Sequence, residues 1–157
     1  MPIKDEFVSA KIKLMEERCR KNGLSLTIQR RAILENLSSR KDHPTADQIY
    51  AAIQDRVAGV SRTTVYRVLE TFVQLGLAQK ISNPEAKARF DADTTRHHHA
   101  ACVSCEKVLD IDPSILPDID LSKADLKGFQ VFDCSVVAIG LCSDCSANGV
   151  SRSYQIN

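Results

Sequence analysis

The chain has 157 residues, 43% hydrophobic and 26% charged, values ordinary for a soluble globular protein and enough for one medium domain or two small ones. No apolar run approaches the roughly 20 residues needed to cross a bilayer, and the charged start MPIKDEFVSAKIKLMEERCRK lacks the apolar stretch of a signal peptide, so a cytoplasmic protein is expected. The net charge of +1 conceals an asymmetry: residues 1–83 carry 14 Lys/Arg against 9 Asp/Glu, and residues 84–157 carry 7 against 11.

In chain order, residues 6–22 place Phe7, Val8, Ile12, Met15 and Cys19 at helical spacing, and Gly23 follows as a stop. Thr27 caps a second helix carrying Ile28, Ile33, Leu34 and Leu37. Thr45 with Gln48 has the form of a capping box, so a third helix starts at Ala46, buries Ile49, Ala52 and Ile53, and ends before Gly59. Ser61 caps a fourth, whose Val65, Val68, Leu69, Phe72 and Leu75 form an apolar stripe closed by Gly76. Residues 77–81 and 88–91 then read as two strands around an Asn83–Pro84 turn. Beyond them, short strands are expected near 97–102, 107–111 and 129–139, with a helix between about 114 and 126.

Three helices followed by a hairpin make a winged helix-turn-helix. The expected class is therefore α+β: an N-terminal winged-helix domain over 1–92, then a small α/β domain over 93–157. A basic half followed by an acidic half fits a nucleic-acid reader joined to a cation binder, although charge varies along most chains.

The helix after Ser61 turns Arg62, Thr63, Tyr66 and Arg67 away from the apolar stripe, with Thr64 in its first turn. Hydroxyls, arginines and a tyrosine at a helix start can reach base edges and phosphates in the major groove of double-stranded DNA. Arg30, Arg31 and Lys80 could add backbone contacts. A solvated helix face is the commoner origin of such a cluster. Its place, third in a three-helix unit ahead of a hairpin, favours DNA.

The six cysteines, in a chain expected to stay in a reducing compartment, argue for metal thiolates or buried thiols over disulfides. Cys102-Val-Ser-Cys105 and Cys142-Ser-Asp-Cys145 are two matched knuckles, the four-thiolate shell of a structural zinc ion. A redox pair would need one CxxC at a helix start in a βαβ setting, and two matched knuckles fit that poorly. Cys19 and Cys134 read as buried thiols.

All four histidines can belong to a second site. An extended 97–99 segment puts His97 and His99 on one face and His98 on the other. Asp91 lies just upstream, Asp110 on the strand expected to pair with the histidines, and His43 at the start of a capped helix. Imidazole and carboxylate donors without thiolate suit Fe(II), Mn(II) or Zn(II) over Cu(I); a polar strand with surface histidines is the alternative.

Thr27-Ile-Gln-Arg30, His43-Pro-Thr-Ala-Asp47, Thr64-Val-Tyr-Arg67, Arg89-Phe-Asp91, His97-His-His99 and both CxxC pairs follow one another as in the ferric uptake regulator family, which the chain resembles over nearly its whole length. The resemblance implies a homodimeric winged-helix repressor that binds AT-rich inverted-repeat operators when loaded with metal. It is closest to the peroxide-responsive branch, in which three histidines and two aspartates hold Fe(II) or Mn(II); here these would be His43, Asp91, His97, His99 and Asp110. Iron sensors of the family usually have glutamates where Asp91 and Asp110 stand, and zinc sensors usually include a cysteine in this site, where none lies here; an iron- or zinc-uptake regulator is the alternative. Some members place a histidine near 134 for a third site; Cys134 here argues against one. Peroxide sensing would run through oxidation of His43 or His97. An enzyme is not expected: the chain lacks the H-x-E motif of zinc deaminases. A zinc-stabilised protein-interaction module would show no salt-dependent DNA affinity.

Overall fold

The computed structural model describes residues 2–82, 86–121, 126–132 and 134–149, with side chains from Asp5 onward. The expected Asn83–Pro84 turn lies outside the described residues. Contacts divide the chain into two compact units, Met1–Thr94 and Thr95–Asn157. No helix among the described residues is long and apolar enough to cross a membrane.

The first unit holds α1 (Pro2–Lys21), α2 (Ile28–Ser38), α3 (Ala46–Ile53), α4 (Arg62–Gln74), β1 (Gln79–Ile81) and β2 (Arg89–Asp91). Local chemistry sets each boundary. Gly23 closes α1 at φ 65°, and the Leu24 N–H turns back to the Cys19 carbonyl at 2.9 Å. The Thr27 and Ser61 hydroxyls each accept a backbone N–H three residues on, from Arg30 and Thr64, both at 3.1 Å. At α3 both halves of the capping box are made, with Gln48 N–H to Thr45 Oγ1 at 3.3 Å and Thr45 N–H to Gln48 Oε1 at 2.8 Å. Gly76 ends α4 at φ 65°, and a Cβ there would stand 2.7 Å from Arg18 Nη1, which donates to the Leu75 carbonyl.

One core fills this unit. Val65, Leu69 and Phe72 of α4 pack with Ile33, Leu34 and Leu37 of α2, Ile49 and Ile53 of α3, and Ile12, Met15 and Cys19 of α1, all buried. Val68 and Leu75 are only partly buried. Two expected core residues stand outside it. Ile28 is 80% exposed because it precedes Ile33 by five positions, roughly 140° around the helix. Ala52 is exposed because Ile49 and Ile53, one turn apart, aim the inward face of α3 elsewhere. The β1–β2 hairpin is antiparallel, Gln79 opposite Asp91 and Ile81 opposite Arg89, shorter than the stretches read from the sequence.

The second unit is a three-stranded sheet in the order β4-β3-β5, with β3 at His98–Cys102, β4 at Val108–Ile111 and β5 at Val137–Gly140, followed by α5 (Ser143–Ala147). β4 runs antiparallel to β3 and β5 parallel to it. The helix expected between 114 and 126 is absent from the described part of that stretch. One turn forms at 112–116, where the Asp112 carboxylate takes the Ser114 N–H at 2.8 Å and its carbonyl those of Ile115 and Leu116. Pro117 then supplies no N–H to continue it. Of the strand expected near 129–139, the described residues form β5, where the chain pairs with β3. Phe129 and Phe132 are 74% and 88% exposed. α5 was not expected from the sequence.

Truncating Phe72 to alanine leaves a hole in a fully buried site and is expected to cost about 3–5 kcal/mol. Thr45→Ala loses one cap and is expected to cost about 1 kcal/mol. Chemical denaturation of both variants checks the contrast; equal losses would contradict this account of the core.

Candidate metal centres and nucleic-acid interface

The four knuckle cysteines meet within the second unit. Parallel pairing sets Cys102, at the end of β3, opposite Gly140 at the end of β5, two residues before Cys142. Cys105 follows in a turn whose exit, Glu106, takes φ 61°. Cys142 caps α5 and Cys145 lies inside it. All four sulfurs lie within 4.8 Å of one another, Cys105 and Cys142 at 3.7 Å. The thiols differ in acidity. Burial pushes the Cys102 thiol up, but backbone N–H donors at Cys105, Cys142 and Ser104 together bring it down to about 6. At Cys105 the Lys107 amide favours the thiolate, yet burial and the sulfurs of Cys102, Cys142 and Cys145 push it up to about 12. Sulfurs that cannot all ionise side by side need a dication between them, and a closed four-thiolate donor set fits zinc.

The imidazole and carboxylate candidates divide between the units. In the second, β3 alternation places His99 directly opposite Asp110 on β4. His97 Nδ1 donates to the Thr95 carbonyl at 2.8 Å, which fixes the tautomer and directs Nε2 to Asp110 Oδ1 at 3.5 Å. His99 Nε2 lies 3.7 Å from the same oxygen, and the two rings are 4.5 Å apart between centroids. Two imidazoles and one carboxylate fit Fe(II) or Mn(II). His98, 1% exposed, faces the other way: its Nε2–H donates to the Pro117 carbonyl at 3.2 Å and its Nδ1 accepts the Val136 N–H at 3.2 Å.

In the first unit, His43 Nε2 lies 3.5 Å from Asp91 Oδ2, and both side chains are buried. Asp91 Oδ1 accepts the Asp93 N–H at 2.8 Å. His43 adopts φ 48°, a left-handed conformation that costs a non-glycine residue about 1–2 kcal/mol. Two residues with no role in this site assigned from the sequence support this half. Arg89, buried, donates from Nη1 to the His43 carbonyl at 2.9 Å. Lys11, also buried, donates to Leu77 O at 3.3 Å and Thr94 Oγ1 at 3.2 Å; burial lowers its pKa, partly offset by Asp93 and Asp91. A lone charge on an otherwise apolar helix stripe was the available signal for Lys11.

The DNA-reading candidates lie around the start of α4. Arg62, Thr63, Tyr66 and Arg67 are exposed and Thr64 half-buried, opposite Val65 and Leu69. Arg30, Ser61, Thr63, Thr64 and Arg67 line one shallow groove, Arg62, Thr63 and Tyr66 another. Tyr66 packs edge-on against Phe90 at 6.5 Å. The other two basic residues behave differently. Arg31 pairs with Glu35 at 2.9 Å and Glu16 at 3.6 Å and lines a separate α1–α2 groove, so it stands off this face. Lys80 pairs with Glu70 at 2.6 Å, close to the Tyr66 ring. Asp47, unmarked by the sequence in this role, holds Lys87 at 2.6 Å and Arg62 at 3.6 Å, and those cations keep its carboxyl below the usual range.

The profile of the ferric uptake regulator family matches residues 21–139. The chain is 36% identical over 130 residues to the peroxide operon regulator of Bacillus subtilis (strain 168), covering 83% of this chain and 90% of that protein. It is 32% identical to the peroxide-responsive repressor of Staphylococcus epidermidis (strain ATCC 12228 / FDA PCI 1200), covering 83% and 87%. Its fold is similar to that of the Helicobacter pylori ferric uptake regulator, a protein with three functional metal-binding sites, at TM-score 0.73 and 18% identity over 94% of this chain and 96% of the other. With that fold, those relatives and the family match over most of its length, the chain belongs to the ferric uptake regulator family of metal-binding transcription regulators.

Proposed function

We propose that this chain is a cytoplasmic, homodimeric repressor that holds operator DNA while one Fe(II) or Mn(II) ion is bound, and that it senses peroxide through that ion. The observation that carries the reading is the composition of its two donor sets. His43 and Asp91 in the first unit, with His97, His99 and Asp110 in the second, offer three imidazoles and two carboxylates and no thiolate. The relatives named for peroxide regulation support the same branch. Cys102, Cys105, Cys142 and Cys145 would hold a structural zinc ion that leaves no open position for chemistry.

The ligands from the first unit belong to the α4-bearing body and those from the second to the sheet. A cation taking both sets at once favours one pose of the two units. In a dimer that pose sets the spacing of the two α4 helices against successive major-groove half-sites. A near-complete switch requires about 10⁴-fold preference for the competent state. Arg62, Thr63, Tyr66 and Arg67 would face base edges and phosphates, with Arg30, Ser61 and Thr64 on the backbone. Dimerisation is supported by the exposed apolar residues of the second unit, among them Ile115, Phe129 and Phe132. A bound Fe(II) ion would supply the chemistry that splits the O–O bond of hydrogen peroxide, with the peroxide as net oxidant of the ring: one of its oxygens would pass to the imidazole of His43 or His97 and the other would leave as water, whereas Mn(II) would not respond. A ring so modified donates less well, and the site lets go of its ion and the operator.

The decisive experiment measures operator binding by the zinc-loaded protein alone, with Fe(II), and with Mn(II), before and after peroxide. Binding is expected only with the second ion, and loss after peroxide only in the iron form, with an oxygen-sized mass gain on a peptide containing His43 or His97. Equal DNA affinity with and without the second ion would refute the reading. Separately, Arg67→Ala is expected to weaken binding and to lower the slope of log affinity against log salt by about 1; an unchanged slope removes Arg67 from the phosphate contacts.

A further inference from the structure

The strand carrying Asp91 also carries, two residues earlier, a buried cation that neither the family's ligand set nor the DNA face uses. Arg89 is 8% exposed. Its Nη1 donates to the His43 carbonyl at 2.9 Å and reaches Gln48 Oε1 at 3.5 Å, the oxygen that also takes the Thr45 N–H in the capping box. The backbone repeats the connection: Thr45 forms an isolated antiparallel bridge with Arg89, and the Phe90 N–H donates to the Pro44 carbonyl at 3.0 Å. The 43–48 turn is thus stapled to β2 by the Phe90 amide and by one guanidinium, with His43 held at φ 48° in between.

We propose that Arg89 is a positioning residue for the regulatory ion, acting through the His43 carbonyl to hold that imidazole beside Asp91; the inference rests on the ligand assignment above. A histidine in the left-handed region relaxes toward ordinary backbone unless its surroundings forbid it. Rotation of the 43–44 peptide would swing the carbonyl away from Arg89, so the guanidinium opposes that rotation while leaving the ring to face Asp91. A guanidinium serves here because its planar fork offers several donors from one buried position, whereas an ammonium is a compact, strongly hydrated charge. The same side chain joins the ligand turn to the first turn of α3, a helix packed on α4. Arg89 therefore connects the His43 turn to α3, the helix packed on α4.

The test uses the full zinc-loaded chain and Mn(II) as the probe, with unbound Mn(II) read by its electron paramagnetic resonance signal. Arg89→Met is expected to lower Mn(II) affinity about 10- to 100-fold, the range for residues that orient a metal ligand, and Arg89→Lys to recover part of it. Zinc content and melting temperature report whether each variant folds. The discriminating step is a double-mutant cycle with His43→Ala. If Arg89 acts through His43, Arg89→Met adds no further loss once the imidazole is gone, and the two effects are non-additive. Additive losses would show that Arg89 supports the unit generally, and would overturn the inference while leaving the ligand assignment intact. Unchanged affinity in His43→Ala would overturn both. Should Arg89→Met fail to fold, the same cycle is run with Arg89→Lys, whose loss must likewise vanish beside His43→Ala.

Discussion

Period-two alternation along one short stretch, residues 97–102, is the constraint on which the second unit depends. β3 is the middle strand, hydrogen-bonded on one edge to β4 and on the other to β5, so its register is fixed from both sides. His97 and His99 therefore share a face and meet Asp110 across the β3–β4 ladder, while Cys102 ends the strand beside the start of the second knuckle. A slip of one residue would exchange the faces, turning His98 toward the Asp110 side and His97 and His99 away from it. Both donor sets of this unit follow from one register.

The zinc set and that register support each other. Three- to five-residue strands form a marginal sheet, and among the described residues few apolar side chains of this unit are buried: Ala101, Cys102 and Val108. A cation held by the four sulfurs would join the ends of β3 and β5, which are distant in sequence, and stand in for the apolar core that is small among the described residues of this unit. The first unit is built the opposite way. Its candidate ligands, His43 and Asp91, take their geometry from a cap, a bridge and a buried cation beside a continuous apolar core.

What the sequence disclosed follows the range of the interaction. Thr27, Thr45 and Ser61 announce their helices because a cap acts within three residues, and each makes the bond its position implies. The cysteine knuckles and the alternation at 97–99 are equally local. Ile28 and Ala52 mislead because pattern reading gives a helix an apolar stripe but not the rotation that tertiary packing chooses for it. Among the described residues of 114–126 the turn that begins at Asp112 stops at Pro117, which has no N–H to continue it. Arg89 and Lys11 act across 46 and 66 positions of the chain, and nothing next to them in sequence announces their partners.

His98 has a chemical consequence of its own. Three identical imidazoles stand in succession, yet the middle one has both nitrogens committed to main-chain groups and its surface closed to water. It has no lone pair to lend a cation, and it cannot turn toward its neighbours without breaking the links to Pro117 and Val136. The run thus carries a built-in reference: a bystander of the same chemistry, one residue away, against which selective wear on its neighbours can be gauged.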